Sequence, residues 1–369
     1  MELKKGAPDY WLFIAIVFLL VIGLVMIFSA SGYSLVISDE DSYYLFKRQL
    51  LWVGVGMVAM CVAMFYDYRN YRRQVRIIAL ATIGLLTLTL LLGVEVKGAT
   101  RQVFLGGANF SPAEFAKLLL IIVIARGLAQ KSEFERSSLM GVLPLLALGV
   151  GAAGLVILQP DMGTAVTIMG IVTVMVIAAG LNLKAMVVIF FSGALAATAA
   201  IMSSSYRMDR FLAFLDPWAD TQVRGWQVVQ SLYAIGSGGL TGQGLGQSMQ
   251  KYLWLPERHT DFIFAILSEE LGFIGVTFVI ALFAILIWRG MRIALNSNDA
   301  FACLLATGIT AWIGIQAIIN MAMVAGKLPV TGITLPFISY GGSSIVSLLL
   351  GVGILLNISR FTADRTTTD

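Results

Sequence analysis

The sequence is short of charge. Asp, Glu, Lys and Arg make up 12% of its 369 residues, about half the roughly 25% usual in soluble domains. Histidine is nearly absent: His259 is the only one, and no metal-ligand spacing surrounds it. The two cysteines, Cys61 and Cys303, both fall inside apolar runs. They read as small buried hydrophobes and exclude a disulfide framework or a metal pair. The net charge of +4 comes with no dense basic block, which argues against a nucleic-acid partner. No internal repeat stands out, which weighs against an inverted-repeat transporter.

What the chain has is apolar surface, at 58% of residues. One soluble core could not hide that much, whereas a bilayer can take it. Runs long enough to span a bilayer, roughly 17–25 residues each, fall near 11–31, 50–66, 77–94, 113–129, 139–159, 164–181, 185–203, 262–288, 300–325 and 337–358. The expected fold is an all-α polytopic membrane protein with about ten transmembrane helices. The first run follows Lys4 and Lys5 as a signal peptide would, but it is longer than the usual signal h-region and reads as a retained helix. One large extracytoplasmic loop, 204–261, separates the seventh and eighth helices. The polar tail 362–369 is expected to be disordered.

Lys and Arg in the connections set the orientation. With the N-terminus cytoplasmic, the inner ends hold 14 of the 25 basic residues, among them Arg69, Arg72, Arg73, Arg76, Arg126, Arg289, Arg292 and Arg360. The short outer loops hold only Lys47, Arg48, Lys97, Arg101 and Lys327. The bias puts both termini in the cytoplasm and the long loop outside.

Ionisable groups at membrane depth are expensive and mark functional sites by default. Glu114 and Lys117 share one helix face, after a start signal in which Ser111 is the cap and Pro112 opens the first turn. They read as a pair lining an outward-facing cavity, though an ion pair that only eases burial would look the same. Asp161 lies in a tight turn, Gln159-Pro-Asp-Met, which is also ordinary turn chemistry. Asp261 opens a helix at the end of the long loop, at the depth where a base would meet a lipid-linked substrate. Glu269 and Glu270 lie about two turns deeper and receive no role. His259 reads as structural. The glycine-rich stretch 237–248 follows no strand and reads as a flexible or tightly turned loop, not a dinucleotide site. Ser339-Tyr-Gly-Gly-Ser-Ser344 enters the last helix. Its hydroxyls and free N–H groups suit a phosphate, and close packing through small residues is the alternative.

Taken together, these segments resemble the SEDS family, the shape, elongation, division and sporulation proteins, and within it the FtsW and SpoVE branch, with RodA nearby. The matching stretches are Arg207-Met-Asp-Arg-Phe, Asp216-Pro-Trp-Ala-Asp220, Gln230-Ser-Leu-Tyr-Ala-Ile235, Gly238 to Gly246, Thr260-Asp-Phe-Ile-Phe264 and Pro329 to Ser344. The resemblance implies a peptidoglycan glycosyltransferase that polymerises lipid II in the bacterial cytoplasmic membrane, for division, elongation or sporulation. It implies a class B penicillin-binding protein as transpeptidase partner. It matches Asp261 to the family's essential aspartate, Glu114 and Lys117 to its paired charges, and Asp161 to its acid after the fifth helix. The chain departs from the family at Gln102, where an aromatic is usual, and at Ala113, where a serine is usual.

The chemistry then needs a single general base, Asp261, and cations for the pyrophosphate. The candidates are Lys117, Arg101, Arg207 and Arg210, with the helix start at Ser339, Gly341, Gly342, Ser343 and Ser344 as a further anion site. No cofactor is evident. A divalent cation, Mg2+ or Mn2+, held by Asp261 or Glu114 would suit the same chemistry. The rival readings are a lipid II flippase or transporter, and a scaffold that only recruits the transpeptidase.

Overall fold

The computed structural model describes residues 6–37, 41–96, 99–105, 108–252 and 254–362. Lys4, Lys5, Lys97, the tail 363–369 and the side chain of Arg101 lie outside the described residues. In chain order the helices begin with α1 (Tyr10–Ile37), α2 (Tyr44–Phe65), the short α3 (Tyr68–Arg73), α4 (Val75–Leu92) and α5 (Pro112–Ala129). They continue with the short α6 (Glu133–Ser137), α7 (Leu139–Ile157), α8 (Met162–Ala178), α9 (Leu183–Met202), α10 (Ser205–Leu215) and α11 (Trp226–Gly238). The last three are α12 (Ile263–Leu295), α13 (Ala300–Val324) and α14 (Gly342–Thr362). Between α4 and α5 run β1 (Val94–Val96), β2 (Ala99–Leu105) and β3 (Ala108–Phe110), an antiparallel meander in the order β1-β2-β3.

Every apolar run expected to span is a helix here. Eight of the helices are long and apolar enough to cross a membrane. The other two expected spans are α8, at 17 residues, and α5, which is 18 residues long and carries Glu114, Lys117 and Arg126. α1 runs on to Ile37 and α12 to Leu295, several residues past the expected ends at 31 and 288, and two helix starts also differ from expectation. α2 starts at Tyr44, so Lys47 and Arg48 belong to its first turns and not to a loop. α14 starts at Gly342, leaving 337–341 as a turn ahead of it.

α13 and α14 form the centre, each with 72% of its most apolar window buried. Helices apolar all round go to the middle of a bundle. α14 lies tight against α2 because Gly56 faces the Leu349 side chain and Gly353 faces the Met60 backbone, where a Cβ would overlap. Small residues of this kind let helix axes approach. α9 is the opposite case. Only 6% of its window is buried, and Leu183, Phe190, Phe191 and Leu195 are exposed.

Both described ends of the chain meet at one face. The Gly6 N–H donates to the Arg360 carbonyl at 2.7 Å, and the Arg289 guanidinium grips the Asp9 carboxylate at 2.8 Å. At the other end of α1, Ser29 and Ala30 meet Glu270 and Arg258. Twenty helical residues cover about 30 Å, the thickness of a hydrocarbon core.

The long connection is largely ordered. It contains α10 and α11, and α11 packs on α12 and α13, with the Ser231 hydroxyl donating to the Val324 carbonyl at 2.5 Å. The glycine-rich stretch is tightly turned because it completes α12. α12 breaks at Gly272 (φ 63, ψ −165). There the N–H groups of Gln243 and Gly244 donate to the Glu269 and Glu270 carbonyls at 2.9 and 3.1 Å. The Gly239 and Leu240 carbonyls accept from Phe273 and Ile274 at 2.9 and 3.1 Å. The loop thus satisfies the backbone groups that the break would orphan. Gly242 (φ 82) is required, since a Cβ there would overlap the Glu270 carbonyl.

Candidate active site

Asp261 sits one residue ahead of the α12 cap, Phe262, and so precedes the cap position itself. Three successive carbonyls hold it in place. The His259 carbonyl accepts from the Tyr340 N–H at 2.9 Å. The Thr260 carbonyl accepts from the Ser339 hydroxyl at 2.7 Å. The Asp261 carbonyl accepts from Asn320 Nδ2 at 2.8 Å. The turn before α14 and the outer part of α13 therefore fix the backbone of Asp261, and its side chain faces a cavity.

That cavity has a volume of about 390 Å³, and Glu114, Lys117, Asp161 and Asp261 all line it. Lys117 is 2% exposed. Its ammonium donates to Glu114 Oε1 at 3.0 Å and to Gln316 Oε1 at 3.1 Å, and lies 5.3 Å from the centroid of the Trp312 ring. Gln316 is anchored in turn by the Trp312 indole N–H at 2.9 Å. Glu114 Oε2 is buried and accepts no hydrogen bond from any described residue; the same holds for Gln102 Oε1. Both residues line the cavity. Buried polar atoms left this way are uncommon and call for a partner, and a substrate hydroxyl or amide would supply one. Ser111 takes the cap position of α5 without capping it by its side chain, while its own N–H donates to Ser343 Oγ at 2.9 Å. That bond ties the start of α5 to the start of α14.

Asp161 answers to both of its readings. It caps α8, accepting from the Thr164 N–H at 3.0 Å and hydroxyl at 2.8 Å, and it also lines the cavity. From the 339–344 segment, Gly341, Gly342, Ser343 and Ser344 line it as expected. Ser339 does not. It is 5% exposed and clamps the turn, with its Oγ accepting from the Leu335 N–H at 2.8 Å while donating to Thr260. Arg207 and Arg210 also lie elsewhere, on α10. The Arg210 guanidinium donates to the Val330 carbonyl at 2.8 Å and stacks on Tyr206. Arg101 belongs to β2, but its side chain is outside the described residues.

The structure adds lining residues that sequence reasoning did not assign. Arg48 and Trp52 of α2 line the cavity, with the Trp52 ring against Gly342 at the start of α14. Burial pushes the Tyr340 phenol up, and the nearby Arg48 guanidinium opposes that rise. His259 lines the cavity too, its ring edge-on to Tyr340 at 5.8 Å between centroids. Among the described residues no three His, Cys or acidic side chains gather closely enough to hold a metal ion. A cation at Asp261 or Glu114 would draw its remaining ligands from water or substrate.

Comparisons with known proteins identify the family of the chain. A family model described as cell cycle protein, covering FtsW, RodA and SpoVE, matches residues 10–364. The chain is 43% identical to stage V sporulation protein E of Bacillus subtilis, over 98% of this chain and 99% of that one. It is also 43% identical to a probable peptidoglycan glycosyltransferase FtsW of Trichlorobacter lovleyi, over 95% and 93%. Among solved structures, a chain from a study of polymerization and crosslinking by a peptidoglycan synthase complex is similar, with a TM-score of 0.81 at 30% identity, over 97% of this chain and 99% of that one. The rod shape determining protein RodA of Thermus thermophilus follows with a TM-score of 0.71 at 29% identity, over 97% and 98%. A helical bundle with eight candidate membrane spans among the described residues, a charged cavity and these similarities lead to one conclusion: the chain belongs to the FtsW, RodA and SpoVE family, the SEDS proteins, and is a multi-pass membrane protein.

Proposed function

We propose that the protein is a peptidoglycan glycosyltransferase that polymerises glycan strands from lipid II. One observation carries the reading. Residues at the starts of α5, α8 and α14 and just ahead of α12, remote in sequence, place three carboxylates, a buried ammonium and a helix N-terminus around one cavity at the Asp261 face. This is the equipment for transfer from a lipid pyrophosphate at a membrane surface.

In the mechanism, the GlcNAc 4-hydroxyl of one substrate attacks the anomeric carbon of the other. The new C–O bond forms as the bond to pyrophosphate breaks, with inversion at that carbon. Asp261 takes the hydroxyl proton, a contribution of about 10²–10⁴-fold. The undecaprenyl pyrophosphate leaves as an anion, so no acid is needed. Lys117, Arg48 and the start of α14 supply positive potential for it. A divalent cation, if bound, would add Lewis-acid charge at the pyrophosphate. Both termini then face the cytoplasm and the cavity faces outward. Similarity to a chain of a peptidoglycan synthase complex supports a class B penicillin-binding protein as partner.

The test is the purified Asp261→Asn protein, given lipid II and its partner. The expected result is loss of polymer with the fold intact. Polymerisation near the parent rate would remove Asp261 as the base. Movement of lipid II across liposomes without polymer formation would favour the transporter instead.

A further inference from the structure

The proposed reaction leaves two buried carboxylates unused. Glu269 and Glu270 are each 1% exposed and stand side by side just before the break at Gly272. They lie at the C-terminal end of the short helical segment 263–271, whose N-terminal end carries Asp261. The negative end of a helix dipole is an unfavourable place for a carboxylate. Two buried charges in succession compound the penalty unless each is paired and hydrogen-bonded.

The segment 248–251 supplies those partners. Ser248 Oγ donates to Glu269 Oε2 at 2.5 Å. The N–H groups of Met249 and Gln250 donate to the same carboxylate at 2.9 and 3.3 Å. Glu270 accepts from the Ser29 hydroxyl of α1 at 2.6 Å and from the Ser248 N–H at 3.4 Å. The Lys251 ammonium is 3.6 Å from Glu270 Oε1, also donates to the Gly246 carbonyl, and is itself 6% exposed as a residue. The cluster lies outside the cavity and joins α1, the loop and α12.

Stability alone does not require such a cluster, because apolar replacements of buried ion pairs are often neutral or stabilising. Fixing a register is the better-attested use of buried charge. We infer that Lys251 and Glu270 are positioning residues for glycosyl transfer. Their pair sets the tilt of segment 263–271, and that tilt sets where Asp261 meets the substrate. At 1.5 Å per residue the segment is a lever of about 13 Å. A tilt of about 5° at the clamp moves its far end by about 1 Å, and a misplacement of that size costs on the order of 10²-fold in rate. The inference rests on Asp261 being the base.

The experiment measures kcat and KM for lipid II turnover on full-length protein that elutes folded in detergent, with its partner present. Lys251→Met should lower kcat by about tenfold or more while KM stays within about twofold, the pattern of a lost transition-state geometry. The double variant Lys251→Met/Glu270→Gln removes the ion pair as a unit and leaves Glu269 with the same hydrogen bonds as in the parent, so it should recover to within about threefold of the parent. Lys251→Arg should stay near the parent. Ser29→Ala removes one hydrogen bond and no charge. It serves if Lys251→Met does not fold, and should lower kcat about threefold. If Lys251→Met or Ser29→Ala keeps the parent kcat per folded molecule, or if the double variant is no faster than Lys251→Met, the inference is wrong. Asp261→Asn is run alongside. If Asp261→Asn retains the parent rate, the base assignment fails and the inference with it. If Asp261→Asn is inactive and the clamp variants match the parent, only the inference fails.

Discussion

Lys117→Met tests the buried pair at the heart of the cavity. The ammonium sits 3.0 Å from Glu114 Oε1 and 3.1 Å from Gln316 Oε1, over Trp312, at 2% exposure. Removing it leaves Glu114 as an uncompensated carboxylate, which costs about 3–5 kcal/mol for a buried pair. The Glu114 side chain keeps 15% exposure, so the lower end applies, about 3 kcal/mol. Glu114→Gln is milder, about 1 kcal/mol, because the amide oxygen still accepts from Lys117. With both changes neither charge remains, and the loss should be about 1.5 kcal/mol. The coupling energy of the cycle is then about 2–3 kcal/mol. The assay is unfolding by SDS titration in mixed micelles, followed by tryptophan fluorescence. A 3 kcal/mol loss is roughly a 100-fold change in the unfolding equilibrium. A Lys117→Met protein within about 1 kcal/mol of the parent, or a double variant less stable than that single, would refute the reasoning.

Other expectations follow from the same structure. Asn320→Leu removes the donor to the Asp261 carbonyl and should lower turnover about tenfold by loosening the base, measured as kcat on folded protein. Gly242→Ala meets both a φ of 82 and the Glu270 carbonyl. It should lose about 2 kcal/mol or more in the SDS titration, whereas Gly84→Ala meets nothing within 4 Å and should stay within about 0.5 kcal/mol. Burial pushes the Tyr71 phenol up to about 12. The unfolded chain releases that proton near pH 10 and the folded chain does not, so stability from this residue falls as pH rises from 10 to 12. Absorbance of the phenolate should show one tyrosine, lost in Tyr71→Phe, titrating last.

Much of the bundle was legible because span length and apolarity are local properties. All ten runs are helices, and the glutamate, lysine and two aspartates singled out for their cost in a membrane do share a cavity. What stayed hidden depends on distant partners. Arg48 looked like a loop cation because nothing near it in sequence marks α2 as starting at Tyr44. That His259 lines the cavity beside Tyr340 was not legible, because the Tyr340 ring comes from another part of the chain. Glu269 and Glu270 had no readable role, since their partners are backbone N–H groups, a lysine and two serines from two other segments. Arg207 and Arg210 were grouped with the pyrophosphate by charge alone. In the fold Arg210 holds the Val330 carbonyl, ahead of the segment that leads into the turn before α14.

The splice of the glycine-rich loop into α12 also sets which lengths can drift. Residues 239–244 supply four backbone bonds across the break, so an insertion among them would separate the two donors from the two acceptors. Over evolutionary time, or in a laboratory library, the counts from Gly239 to Gly244 and from Glu269 to Ile274 should stay constant.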